Sequence, residues 1–379
     1  PLPAWVFDGR QGVHAPAGSW SAAESALKPR RDLPVYGRQL YPEQVLGEAA
    51  PDMGVTLWEN DGVRLWNLPA KDARIGILSF KSKMHAIGDE VLDGVLEAIA
   101  RAERDLDGLV LWHEAPFAVG ADLQQVADAC KAGQFDLLEK TVAKFQRAAM
   151  ALKHALVPTV AAVQGMALGG GCEFAMHATH RVLALESYLG LVEVGVGLIP
   201  AGGGSKELAL RAASLANRAA GGDVFPFIQN MFQTVAMANV SKSALQAVEL
   251  GFATESDDIV FNPRELLHVA LHRARALAES GYQPPLVQRA VKVAGRNGIA
   301  TCEMMLINML EGGFISPWDY RVGRAVATAL CGGEVDTNAK VSEQWMLDVE
   351  RALFVDLLKT EKTQQRIQYM LETGKPLRN

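Results

Sequence analysis

Two glutamates stand alone in apolar, glycine-rich company: Glu173 in GMALGGGCEFA (165–175) and Glu193 in LVEVGVGLIPAGGG (191–204). A carboxylate in such surroundings is costly unless it is paired, hydrogen-bonded or used. Three glycines, 169–171, stand just before Glu173. Where glycines open a helix, the backbone can approach a ligand closely. The free N–H groups of that first turn and the helix dipole favour negative charge. Such a place can bind a phosphate or stabilise an oxyanion, and Glu173 would stand beside it. Two carboxylates in one apolar site can divide acid and base roles if their protonation states differ. A third segment, FAVGADL (117–123), follows an apolar run in the same manner.

Each feature also has a plainer reading. Glu173 can compensate a helix dipole, and Glu193 can be an exposed loop acid. Asp122 suits the cap of a helix starting near Leu123 better than catalysis. The glycines at 202–204 read as plain turns. Cys172 reads as a small buried residue. His177 and His180 fall three apart on a helix expected over 172–181, where a structural or surface role is favoured because a metal wants more ligands. The glycine clusters are not nucleotide loops. Gly-x-Gly-x-x-Gly counted from Gly169 ends on Phe174, that from Gly195 ends on Pro200, and no Gly-Lys-Ser/Thr follows any cluster.

The elements that position these residues can be read from periodicity. Residues 55–58 and 63–66 predict a hairpin about a turn at 60–62, packed by Trp58 and Trp66. Residues 74–80, 108–112 and 159–163 are apolar strands. Ile87, Val91, Val95, Ile99 and Ala102 carry a helical period. Strands alternating with helices predict an α/β layered core. Residues 1–54, rich in proline, glycine and charge, read as a linker or extended arm, 55–255 as the core, and 256–379 as a helical C-terminal region. That region holds expected helices at 263–280 and 341–371, the latter core or interface rather than a membrane helix.

Length and composition allow a large core: 379 residues, 49% hydrophobic and 21% charged. A net charge of −6 argues against a nucleic-acid surface. The cysteines Cys130, Cys172, Cys302 and Cys331 form no Cys-x-x-Cys pair and no zinc spacing, and read as reduced thiols of a cytoplasmic protein. No apolar run reaches the ~18 residues of a membrane span. The chain begins at Pro1, which suggests a fragment or processed form.

The three segments resemble, in order and spacing, the motifs of the crotonase (enoyl-CoA hydratase/isomerase) superfamily, and the resemblance covers roughly 55–280. It implies a crotonase-like spiral of strand–strand–helix units. It also implies an acyl-CoA substrate, with an oxyanion hole made by the backbone N–H groups of Ala121 and Gly170 and acid–base work by Glu173 and Glu193. Substrate and CoA contacts would fall on Lys83, His85, Ala86, Gly120, Asp122 and Gly169. No cofactor is implied for hydration beyond coenzyme A as part of the substrate. Residues 1–54, the string 79–85 and the ending GKPLRN (374–379) resemble the hydratase half of bifunctional fatty-acid oxidation proteins. That implies a covalently linked N-terminal 3-hydroxyacyl-CoA dehydrogenase, using NAD, which is absent from this chain. Family habit further implies a homo-oligomer.

The chain departs from the family's pattern in three places. The turn at 201–205 is followed by Lys206 and Glu207 rather than Gln-Arg. Residues 212–240 read as an insertion able to form a lid, a chain-length wall or a partner contact. The helical region 281–379 exceeds what a minimal hydratase needs. Two rivals remain: an enoyl-CoA isomerase, which usually needs one carboxylate, and a non-catalytic acyl-CoA binding module. A dehydrogenase within this chain lacks the dinucleotide fingerprint.

Overall fold

A run of short apolar strands with turn residues between them must pair to satisfy its backbone, and here seven of them build the main sheet. The computed structural model describes residues 4–7, 13–15, 17–29, 33–39, 54–219 and 222–379. The chain divides into two units, Pro1–Gly54 and Val55–Asn379. In the first, β1 (His14–Ala15), β2 (Gly18–Ser21) and β3 (Ala26–Lys28) form a small antiparallel sheet.

The second unit holds a seven-stranded sheet in the order β10-β9-β8-β7-β6-β5-β4. β4 (Val55–Glu59), β5 (Val63–Leu68) and β6 (Asp72–Phe80) form an antiparallel meander. The Asn60 side chain accepts from the N–H of Gly62 and of Val63, which fixes the turn of the expected hairpin. β7 (Gly108–Leu111), β8 (Thr159–Leu168), β9 (His180–Gly190) and β10 (Asp258–Val260) then add in parallel. Ile77, Val110 and Val160 stand in one register across three strands, and all three are fully buried. Parallel strands need crossover connections, and helices supply them, as the α/β expectation required.

The first crossover is α1 (Asp89–Asp105), whose Val91, Leu92, Val95, Ala98, Ile99 and Ala102 are buried at steps of three and four. α2 (Leu123–Lys131) and α3 (Phe135–His154) join β7 to β8. Asp122 accepts the N–H of Gln124 and of Gln125, so it is the cap of α2. α4 (Gly170–His177) links β8 to β9, and α5 (Gly204–Arg218), α6 (Phe225–Ala236) and α7 (Ala244–Glu249) lead on to β10. The described part of 212–240 is thus the end of α5 and all of α6, which buries Ile228, Phe232 and Val235.

The C-terminal part is helical: α8 (Leu266–Glu279), α9 (Gly295–Glu311), α10 (Pro317–Leu330), α11 (Glu343–Leu358) and α12 (Glu361–Thr373). Only the two-residue β11 (Val291–Lys292) and β12 (Lys340–Val341) interrupt it. No described helix is long and apolar enough to cross a membrane.

Two expected helices differ from those observed. The helix expected over 172–181 starts at Gly170 and ends at His177. Ala178 is already extended, Thr179 hydrogen-bonds to Thr159 and Tyr282, and His180 pairs with Val160 as the first residue of β9. His177 and His180 therefore do not share a helix face. The single helix expected over 341–371 is two helices. Thr360 is extended and its hydroxyl turns back to the carbonyl of Leu357, which stops α11 and lets α12 begin in a new direction.

Candidate functional site

α4 is buried along its whole length, so its contacts are all internal. β8 runs into Gly169, whose φ of +51° and ψ of −123° turn the chain sharply. A methyl there would lie 3.3 Å from Glu193 Oε1, which places Glu193 against the start of α4. The Glu173 N–H donates to Gly169 O at 2.9 Å. Glu173 is 3% exposed, and its Oε1 accepts the N–H groups of Gly202 (2.9 Å) and Gly204 (2.8 Å).

The 202–204 glycines are therefore not plain turns. Gly202 and Gly204 supply the donors that satisfy one oxygen of Glu173, and none of the three glycines has room for a side chain. A methyl on Gly202 would lie 2.4 Å from the Phe145 ring and 2.6 Å from Glu173 Oε2, and one on Gly203 would lie 2.7 Å from the His177 ring. Gly203 also has φ +108°. Gly202→Ala is expected to destabilise the fold by about 1–3 kcal/mol, the usual cost of overpacking a tight core, measurable by urea unfolding.

Burial pushes the Glu173 carboxyl up against the opposing pull of the Gly204 and Gly202 N–H groups and the Lys206 charge, and it settles at about 7. Burial, then repulsion from Glu173, pushes Glu193 well above the ordinary carboxylate range. The Oε2 of Glu193 is buried and has no partner among the described residues. The structure thus brings the two predicted glutamates to one place, where the charge of Glu173 opposes ionisation of Glu193.

The FAVGADL segment lies beside them. Phe117 N–H donates to Gln164 O and Ala118 N–H to Met166 O, while Leu168 N–H returns to Ala118 O, so this loop pairs with the far end of β8. Gly120 has φ +104°, and a methyl there would lie 3.1 Å from Leu168 O and 3.6 Å from Gly170 N. Gly120 O accepts from Ile87 N–H, and Ile87 O accepts from Asp122 N–H. The N–H groups of Ala121 and Gly170 have no hydrogen-bond acceptor among the described residues. Those two donors stand free on adjoining segments, beside the paired carboxylates.

The 79–85 string forms a short 3₁₀ turn, Lys83–His85, with Met84 and His85 both at φ +55°. Lys83 is exposed, and Ala86 N–H closes the turn on Lys83 O. His85 Nδ1 lies 2.6 Å from Pro116 O and its ring lies on His113, with 4.0 Å between centroids. Burial, then His85, lowers His113 to about 3, so it is neutral. His85 thus ties this turn to Pro116, at the start of the loop that carries Ala121.

Residues that sequence reasoning missed lie behind Glu173. His177 Nδ1 lies 2.6 Å from Glu173 O, so that nitrogen carries the proton, and Nε2 accepts from Lys206 Nζ at 3.0 Å. Lys206, fully buried, also meets Glu207 and Glu343, and Lys153 bridges the same two carboxylates. The Lys206-Glu207 pair that replaces the family's Gln-Arg is thus one corner of a buried ion network. The four cysteines are buried and unpaired, and among the described residues no group of three His, Cys, Asp or Glu is placed to hold a metal.

Residues 72–220 match the enoyl-CoA hydratase/isomerase family model. This chain carries a crotonase-family domain. The crotonase fold is seen in an enoyl-CoA hydratase from Bacillus halodurans, at TM-score 0.53 and 15% identity, covering 81% of this chain and 98% of that one. An enoyl-CoA hydratase/isomerase from Mycobacterium paratuberculosis gives TM-score 0.52 and 18% identity, covering 82% and 98%. Among curated relatives, a probable 3-hydroxyacyl-CoA dehydrogenase of Bacillus subtilis is 37% identical over 306 residues, 80% of this chain and 38% of its own length. A putative fatty acid oxidation complex trifunctional enzyme of Rickettsia felis is 26% identical over 315 residues, 83% and 39%. The chain spans about two fifths of the length of these relatives.

Proposed function

We propose that the crotonase domain of this chain hydrates 2-enoyl-CoA thioesters. The observation that carries the reading is the pair of carboxylates, buried Glu173 and half-buried Glu193 with its Oε2 buried and unpartnered, beside the two free N–H groups of Ala121 and Gly170. Addition of water across the double bond builds charge on the thioester oxygen as an enolate. Two preorganised N–H donors meet that charge, and losing one donor of this kind costs about 3 kcal/mol of barrier. Water needs a base and the α-carbon needs a proton. A carboxylate pair holding one proton supplies both: the ionised member takes a proton from water as its oxygen bonds to the β-carbon, and the protonated member gives its proton to the α-carbon. The pair ends with one proton, in exchanged roles.

An isomerase moves one proton between two carbons and uses one carboxylate. The unpartnered Oε2 of Glu193, held in the site at a desolvation cost, favours the reaction that uses two. In this reading Lys83, His85 and Ala86 meet the CoA moiety, and Gly120, Asp122 and Gly169 shape the thioester end. Hydration itself takes no cofactor. The length of the relatives, and the words dehydrogenase and trifunctional in their names, support a further reading: in the whole protein a dehydrogenase part accompanies this one. That it uses NAD and precedes this part, and that the assembly is a homo-oligomer, is what the family resemblance implies.

The test is loss of the enoyl-thioester absorbance of crotonyl-CoA and of decenoyl-CoA without NAD. Turnover is expected on at least one of them. Tight binding with no turnover on either would favour a non-catalytic acyl-CoA module instead.

A further inference from the structure

A third buried carboxylate touches the same turn as Glu173. Glu350, on α11, is fully buried. Its Oε2 accepts the Gly203 N–H at 3.0 Å and its Oε1 accepts the Lys206 N–H. Along the start of α5 the N–H groups therefore alternate between two acids: Gly202 to Glu173, Gly203 to Glu350, Gly204 to Glu173, Lys206 to Glu350. A helix start leaves its first N–H groups unpartnered, and Gly203, at the cap position, has no side chain to meet one. The two acids do that work between them.

α11 is itself anchored away from the turn. Gln146 Nε2 donates to Leu347 O (2.8 Å) and to Ala201 O (2.9 Å), tying α11, α3 and the turn together. Arg351 donates to Gln146 Oε1 at 2.7 Å. Glu343 accepts Lys153 Nζ (2.9 Å) and Gln288 N–H (2.7 Å). Glu350 is thus a fixed post, and the turn hangs from it.

We propose that Glu350 is a positioning residue for Glu173: by holding the Gly203 and Lys206 N–H groups it fixes the 202–206 turn so that the Gly202 and Gly204 N–H groups converge on Glu173 Oε1. This rests on the reading of Glu173 as an acid–base group. With Oε1 held by two donors, Oε2 is the oxygen left to trade a proton with water. A turn displaced by about 1 Å releases that orientation, and misplacement of this size costs roughly 10²-fold in rate. The C-terminal helical region is then part of the active site and not only its outer wall. The charged or titratable groups facing this turn are Glu173 and His177 from α4, Lys206 and Glu207 from α5, Lys153 from α3, and Glu343 from α11.

The experiment uses Glu350→Gln in the full chain, with residue-resolved hydrogen exchange of the 202–206 amides and kcat and KM for crotonyl-CoA. The Gln amide keeps one acceptor and turns its NH₂ toward an N–H. Exchange at Gly202 and Gly204, which Glu350 does not touch, is expected to quicken by about tenfold or more as the turn opens locally. kcat is expected to fall roughly 10- to 100-fold with KM little changed, as misplacement of a reacting group predicts. Quickening confined to Gly203 and Lys206, or an unchanged kcat in an active protein, overturns the proposal. If wild type hydrates nothing, the catalytic reading fails and the exchange pattern alone decides the positioning role. Should the Gln variant fail to fold, Glu350→Asp, which keeps the carboxyl group and withdraws it by one methylene, is read by the same two outcomes.

Discussion

Glu173→Gln is expected to cut turnover of crotonyl-CoA by roughly 10²- to 10⁴-fold, the range for losing a positioned acid–base group. The substitution is close to a pure removal of chemistry. The Gln oxygen can still accept the Gly202 and Gly204 N–H groups that Glu173 Oε1 accepts now. Glu173 is buried, so a neutral side chain is tolerated there more readily than a charge. Binding of a saturated acyl-CoA should persist, because the Lys83–His85 turn and the Ala121 N–H stand on other segments, and the Gly170 N–H is backbone that the substitution leaves in place. Glu193→Gln is expected to behave alike, since the water must be held between both carboxylates. The decisive comparison is absorbance loss against acyl-CoA binding in the same two variants. Near-normal hydration in either one would remove that glutamate from the mechanism, and loss in Glu173→Gln with retention in Glu193→Gln would leave hydration to a single carboxylate.

Much of this site was legible because its parts are local. Gly169 and Gly120 sit at left-handed backbone that glycine favours, and both are written into short runs. Asp122 caps the very next helix. The hairpin turn at Asn60 and the apolar runs of β6, β7 and β8 need no distant partner to be recognised. What escaped depends on contacts between residues far apart in the chain. Glu350 is one acid on an amphipathic helix, and only the packing of α11 against the 202–206 turn gives it a role. The glycines at 202–204 look like turn residues until Glu173 and Phe145 are seen to fill the space their side chains would need. His177 and His180 read as one helix face because apolar spacing continues through them. The Thr159–Thr179 hydrogen bond that ends the helix joins residues twenty apart. The break after Leu358 was hidden for the same reason: the apolar steps of four persist across it, and one threonine hydroxyl makes the difference.

The stability of the protein should carry the signature of Glu173 as a pH-dependent loss. Burial raises its carboxyl from the usual 4.5 to about 7 in the folded chain. Between those values the folded state keeps a proton that the unfolded state has given up, so stability falls as pH rises, and levels off above about 7. The contribution is present in full below pH 4.5 and amounts to about 3 kcal/mol by the linkage of 1.36 kcal/mol per unit. Glu193 and Glu350, raised first by burial and then by repulsion from Glu173, act in the same direction. Glu207 and Glu343 act in the opposite one. For them burial is outweighed by the charges of Lys206 and Lys153, which hold them below the ordinary range, so their contribution is lost in acid. Wild type alone would therefore show a composite curve. Subtracting it from Glu173→Gln isolates the buried acid: the variant should gain on wild type by about 3 kcal/mol between pH 4.5 and 8 in urea unfolding, and the gain should grow where Glu193 and Glu350 are relieved of repulsion. A difference that stays flat across that range would mean Glu173 ionises freely at acid pH. It would then hold no proton near neutrality, and its place in a proton-sharing pair with Glu193 would be lost with it.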